Sequence, residues 1–207
     1  MMDPTPRPGR AATRHSSPGN QSVDAAERAL FALVSTGDRY AMDQLYILYF
    51  ARLAKFFQNM TVCAYLVEEL INDTMFEVWK ERASVGTTAS VSLAIMRLAY
   101  SRVHKHFVEA RPNKPRFRRD VQDTEPSRSL LTTEPPSNLQ VLLSKLYVEE
   151  RAVMHFVYAS GCSRQEIADV MRITGDRVDV LLSDARASAQ QHFSVTSARS
   201  RGIDPRA

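Results

Sequence analysis

Residues 161–178 constrain the chain most: Gly-Cys-Ser-Arg-Gln-Glu-Ile-Ala-Asp-Val-Met-Arg-Ile-Thr-Gly-Asp-Arg-Val. Gly161 stands where one helix must end, because the residue just past a helix C-terminus commonly takes the left-handed backbone. Ser163 and Glu166 have the spacing of a capping box, which starts the next helix. Ile167, Ala168 and Met171 give that helix an apolar face, and the small Ala168 lets a second helix cross closely. Thr174 is placed to cap the second helix, whose inner face is Val178, Leu181, Leu182 and Ala185 at helical spacing. The pattern predicts a helix-turn-helix, a unit whose second helix commonly enters the major groove of DNA. Alone it does not separate one nucleic-acid-binding class from another.

Composition narrows the rest. The chain has 207 residues and only seven glycines, and long stretches carry helical periodicity. No alternating run of useful length suggests a strand, so the expected fold class is all-α. No apolar segment approaches the ~20 residues needed to span a bilayer, and the Pro-, Arg- and Ser-rich start lacks the apolar core of a secretory leader. Cys63 and Cys162 lie far apart in helical surroundings, as expected of two reduced thiols in a cytoplasmic protein. His104 and His106 are two apart and point to different sides of a helix, and no Cys/His cluster has metal-ligand spacing. No cofactor or metal is expected. Neither a carboxylate pair, an activated nucleophile nor a phosphate loop is recognisable, so the chain is not expected to be an enzyme. The formal charge is +4, which favours a polyanionic partner. Arg102, Lys105, Arg111, Lys114, Arg116, Arg118 and Arg119 crowd one segment, opposed by Glu109.

Residues 1–22 carry four prolines among Ser, Thr, Gly and Arg and are expected to be a disordered tail. Helical pattern starts at Asp24, with Ala29, Leu30, Leu33 and Val34 as a short stripe ending near Gly37-Asp38. A second helix is expected over about 40–58, with Leu45, Leu48, Phe56 and Phe57 inward and Tyr46, Tyr49 and Phe50 widening that face. A third, over 64–82, buries Leu66, Val67, Leu70, Ile71, Thr74 and Val78 and turns Glu68, Glu69, Asp73 and Glu77 outward. Residues 83–89 are expected to be a loop, and a fourth helix covers about 90–109. The proline-rich stretch 111–136 lacks periodicity and is expected to be a flexible basic linker. A second helical block spans 137–193 and a polar tail 194–207. The expected organisation is two small helical domains, 23–110 and 137–193, joined by that linker, the second containing the helix-turn-helix.

The motif at 68–80, Glu-Glu-Leu-Ile-Asn-Asp-Thr-Met-Phe-Glu-Val-Trp-Lys, together with Gly161, Ser163, Glu166-Ile167-Ala168 and Val178, resembles the bacterial RNA polymerase sigma factors of the two-domain, extracytoplasmic-function group of the sigma-70 family. The resemblance covers about 24–190. It implies a transcription initiation factor that binds core RNA polymerase and directs it to specific promoters. Glu68, Glu69, Leu70, Asp73, Phe76 and Trp79 match the helix that docks on the polymerase clamp, a basic helical surface that suits outward acids. The fourth helix, with Arg97, Tyr100, Arg102, His104 and Lys105, is then the candidate for holding melted promoter DNA. Ala94 and Ser101 stand where the family commonly has Trp and Asn. In the second domain Arg164, Arg172, Arg177, Asp179 and Arg186 are the candidate promoter contacts, although Asp176, Asp179 and Asp184 make that helix more acidic than a phosphate-facing helix requires. Two alternatives stay open: a stand-alone helix-turn-helix regulator, and a sigma-like adaptor that binds polymerase without reading DNA. No sensor domain is evident, so control is expected from an anti-sigma factor, expression level or a Ser/Thr kinase. Thr61, near the start of the third helix, is the candidate phosphosite, with a helix N-cap as its structural alternative. No membrane partner is expected.

Overall fold

A computed structural model describes residues 18–61, 63–86, 88, 90–109, 143 and 145–200, with side chains described over 25–107 and 143–191. Every regular element among them is helical: α1 Pro18–Ser35, α2 Arg39–Met60, α3 Ala64–Lys80, α4 Arg82–Val85, α5 Val91–His104, a π-helical turn Lys105–Glu109, then α6 Val148–Tyr158, α7 Arg164–Met171 and α8 Gly175–Ser200. The fold is all-α, as its periodicity implies. The expected linker, 111–136, lies outside the described residues.

Local chemistry accounts for the element boundaries. Gly37, at φ 93°, takes the left-handed backbone that turns the chain after α1. Asp38 then caps α2, its carboxylate accepting from the Ala41 amide at 3.1 Å. The inner stripe of α2 is Ala41, Leu45, Tyr49, Leu53, Phe56, Phe57 and Met60. Leu48 and Phe50 lie off that stripe and are exposed, contrary to the inward placement expected for them. In α3, Val67, Leu70, Ile71, Thr74, Met75 and Val78 are buried, and the Thr74 hydroxyl satisfies itself by donating to the Leu70 carbonyl at 2.7 Å. Ser90 caps α5 by accepting from the Leu93 amide.

The structure moves three expected boundaries. The first helix opens at Pro18 rather than Asp24; proline suits a first helical position, where its missing N–H leaves no bond unmade. Residues 82–85, mostly assigned to a loop, form the short α4 because Val85 is buried and α4 packs against α1. The last helix continues to Ser200, through the start of the expected polar tail; no Gly or Pro interrupts 176–200, and polarity alone does not stop a helix.

Helix α5 is the centre of the molecule. Val91, Ala94, Ile95, Met96, Leu98, Ala99, Tyr100 and Val103 are all buried, so it is covered on most sides. Helices α1 to α4 pack on one part of it and α6 and α7 on another. One apolar core runs without a break from Phe31 in α1 to Leu181 in α8. Leu143, Leu146 and Ala185 form a small satellite cluster with the half-buried Met154. The helical blocks before 110 and after 142 therefore meet along α2, α5, α6 and α7.

Candidate functional site

Three surfaces hold the residues singled out by the sequence. The first is the outer face of α3. Glu68, Glu69 and Asp73 are exposed there, and Phe76 is 63% exposed with the Lys80 ammonium 5.8 Å from its ring centre. Leu70 is only 3% exposed and supports this face from beneath. Trp79 is half-buried, with the Arg82 guanidinium 4.6 Å over its ring and donating to its carbonyl at 2.8 Å. The neighbouring part of α2 extends the surface. The Tyr46 hydroxyl donates to Asn72 Oδ1 at 2.9 Å, its ring lies 5.9 Å from that of Phe50, and Ile47 is exposed. Sequence reasoning missed this α2 contribution because it assigned Tyr46 and Phe50 to the inner face; the four-residue spacing of Ala41, Leu45, Tyr49 and Leu53 was the signal available. The two helices together present aromatic rings framed by carboxylates, a surface that complements a basic, partly apolar helix.

Glu77, expected to face outward with those acids, instead faces α5. Its carboxylate meets Lys80 at 3.2 Å and Arg102 at 2.9 Å. The Lys80 hydrogen bond first, and the Arg102 and Lys105 charges with it, hold this carboxyl below its ordinary value against a smaller effect of burial.

The second surface is the far side of α5. Arg102 is committed to Glu77. Arg97 and His104 are half-buried, and Lys105 is exposed. Tyr100 is 5% exposed, its ring edge-on to Phe156 of α6 at 6.4 Å and 6.1 Å from His104. Burial, helped by the Glu149 charge and opposed by Arg177, raises the Tyr100 phenol above its usual value. The candidate nucleic-acid face of α5 is thus roofed in part by the helices that follow residue 142.

The third surface is the pair α7 and α8. Ser163 and Glu166 form the expected reciprocal cap: the Ser163 hydroxyl accepts from the Glu166 amide at 3.3 Å, and the Glu166 carboxylate accepts from the Ser163 amide. Gly161 has φ 64°, and Arg172 closes α7 in the same left-handed region at φ 55°. Thr174 caps α8, accepting from the Arg177 amide at 3.3 Å. Val178, Leu181 and Ala185 are buried as the spacing implies. The five candidate contacts are distributed unevenly. Arg164 lies across the start of α8, donating from Nε to Asp179 at 2.9 Å and from Nη2 to Asp176 at 2.7 Å. Those hydrogen bonds, Asp179 first, raise the Arg164 pKa further. Gly175 makes room for it, since a Cβ there would sit 2.5 Å from Arg164 Nη1. Arg177 faces Glu149 of α6 at 3.6 Å, Arg186 donates to the Tyr158 hydroxyl at 3.2 Å, and Arg172 is exposed.

Thr61 is 8% exposed. It terminates α2, its amide donating to the Phe57 carbonyl and its hydroxyl accepting from the Cys63 amide at 3.2 Å. It is therefore the C-cap of α2 rather than the N-cap expected for it, and Cys63 occupies the N-cap of α3. Cys63 and Cys162 form no disulfide. Among the described residues no group of three or more His, Cys, Asp or Glu side chains could hold a metal ion, and no described helix is long and apolar enough to cross a membrane.

The all-α arrangement defined by these helices is similar to that of two solved structures. The chain matches the structure of CnrH in complex with the cytosolic domain of CnrY with a TM-score of 0.61 at 19% identity, over 82% of this chain and 98% of that one. It also matches the sigma factor RpoE, solved with the anti-sigma factor NepR from Bartonella quintana, with a TM-score of 0.54 at 18% identity, over 74% of this chain and 96% of that one. At these identities the likeness is one of fold. No family model matches the chain, and no curated protein does.

Proposed function

We propose that this chain is a non-enzymatic transcription initiation factor that binds core RNA polymerase and directs it to specific promoters. The observation that carries the reading is the exposed acidic and aromatic face of α3, set on a fold shared with a solved sigma factor. Glu68, Glu69, Asp73 and Phe76 meet the polymerase clamp, with Leu70 and Trp79 fixing the helix from below and Tyr46 and Phe50 widening the contact. Helix α5 holds separated promoter strands, and the helix-turn-helix of α7 and α8 contacts the upstream duplex. RpoE was solved with an anti-sigma factor and CnrH with the cytosolic domain of CnrY; by that likeness an anti-sigma protein is a further partner. A regulatory kinase acting at Thr61 requires the end of α2 to be uncovered first.

The test is a titration of core polymerase with the double variant Glu69→Lys, Asp73→Lys. The expected result is at least about tenfold weaker association, the effect of placing like charges opposite a basic surface, with helicity by circular dichroism unchanged. Equal affinity at moderate salt overturns the clamp assignment. One observation favours the adaptor reading as the alternative: Arg164, Arg177 and Arg186 all engage groups within the chain, which leaves α8 few cations to offer to phosphate. Normal polymerase binding without any promoter-dependent transcription selects that alternative.

A further inference from the structure

One face of the molecule is both apolar and unpaired. On the outer side of α3, Tyr65 is 76% exposed and Phe76 is exposed with it, and on the adjoining part of α2 Ile47 is 68% exposed. Large apolar side chains gathered on one face mark a site that a partner covers. Among them stand Glu68, Glu69 and Asp73, exposed and, among the described residues, without a hydrogen-bond or ion-pair partner. Glu77 on the same helix is satisfied by Lys80 and Arg102. Residues 1–17 lie outside the described residues, but the point where they join the fold is fixed. The turn at 36–38 reverses the chain, so α1 packs antiparallel to α2. The short connection at 61–63 and the Tyr46–Asn72 hydrogen bond set α3 antiparallel to α2 as well. Pro18, where α1 opens, and Tyr65, in the first turn of α3, therefore lie toward the same end of α2.

We propose that the segment 1–17 docks on this α2–α3 face, with its arginines on Glu68, Glu69 and Asp73 and its prolines on Ile47 and Phe76. Its sequence is the chemical counterpart of the face. Arg7, Arg10 and Arg14 stand against the single acid Asp3, and Pro4, Pro6 and Pro8 alternate at its start. Alternating prolines favour the extended polyproline conformation, which docks on aromatic surfaces with little entropy to lose. Guanidinium groups pair with carboxylates and stack on rings. The order along the chain also fits. Running from Pro18 along α3, the arginines come first and meet the acids, and the prolines come last and meet Phe76 and Ile47. The eight steps from Pro18 to Arg10 span roughly 27 Å when extended, against a helix diameter of about 10 Å. Each exposed ion pair is weak. The tether makes the sum count, because a segment joined by a short linker meets its site at an effective concentration in the millimolar range. Any partner of the same face must displace the segment first.

The consequence for polymerase rests on the reading of this face given above; the docking does not. The experiment compares the unaltered full chain with the full-length triple variant Arg7→Gln, Arg10→Gln, Arg14→Gln, whose changes all precede α1. Tyrosine nitration is mapped by mass spectrometry. Tyr40, exposed at the opposite end of α2, is the internal standard. Relative to Tyr40, Tyr65 should nitrate about threefold more slowly in the unaltered chain than in the variant at low salt, and high salt should erase the difference. The variant should also bind core polymerase about threefold more tightly in a titration at low salt. Equal Tyr65 rates in the two proteins at low salt overturn the docking. Protection of Tyr65 that fades on dilution marks a second copy of the chain as the occupant and overturns it too. Protection in the unaltered chain alone, with equal polymerase affinity for both proteins, leaves the docking standing and removes polymerase from this face.

Discussion

Arg164 occupies the first position of α7, and its guanidinium bridges Asp176 and Asp179 at the start of α8. Two of the three acids that make α8 look unsuited to DNA thereby have a partner within the chain, and the glycine at 175 leaves room for the guanidinium at the helix start. Asp179→Lys replaces a negative charge with a positive one and also releases one of the two Arg164 contacts. Duplex binding by the full chain should then strengthen, and the slope of log affinity against log salt should steepen by about one to two. Fluorescence anisotropy at several salt concentrations measures both. Weaker binding to the promoter alone, with the slope unchanged and discrimination at one base pair relaxed about tenfold, would instead mark Asp179 as an acceptor for a cytosine amino group.

At the scale of elements, α3 and α5 are joined by Glu77. Its carboxylate is shared between Lys80 on its own helix and Arg102 on the next, which turns a nominally outward acid into a cross-helix tie. Glu77→Gln should free Arg102 and increase single-stranded DNA binding by the full chain in a filter assay while leaving polymerase affinity unaltered; a loss of polymerase affinity would place Glu77 in the docking face instead. The same two helices show what a sequence can and cannot convey. The buried stripe of α3, the capping box at Ser163 and the Thr174 cap are local patterns spanning three or four residues, and all were legible. The direction of Glu77 was not, because its partner on α5 is 25 residues away. Helix α6 was legible as a helix but not as a junction, since the partners of Arg151 and His155 lie 91 and 96 residues upstream. Nothing in the run Glu-Glu-Arg-Ala-Val-Met-His-Phe distinguishes a buried arginine from a solvated one. The short α4 escaped notice for a related reason: four residues carry too little periodicity, and what holds them is the packing of Val85, not propensity.

At the scale of the whole molecule, the two helical blocks share their core through His155, and its protonation reports on their union. Burial, reinforced by the nearby Lys55 charge, lowers the imidazole from its ordinary 6.5 to about 4. The Asn59 Nδ2 group donates, so the His155 Nδ1 that faces it accepts and carries no proton in the folded chain. Once the chain unfolds, His155 takes up a proton with its ordinary affinity. Between pH 6.5 and 4 the unfolded chain therefore binds more protons than the folded one, and stability rises with pH across that window. The contribution is complete above about pH 7 and is lost as the pH falls, by about 2 kcal/mol at pH 5. Urea denaturation at pH 7.5 and pH 5 should show this loss, and His155→Gln should abolish most of it while preserving a side chain able to accept from Asn59. Carboxylates elsewhere titrate in the same range, so the comparison between the two proteins, not the acid sensitivity of either, is the measurement that decides. An identical pH dependence in the variant would mean that His155 is reached by solvent in the folded chain, and that α6 does not close over α2 in solution.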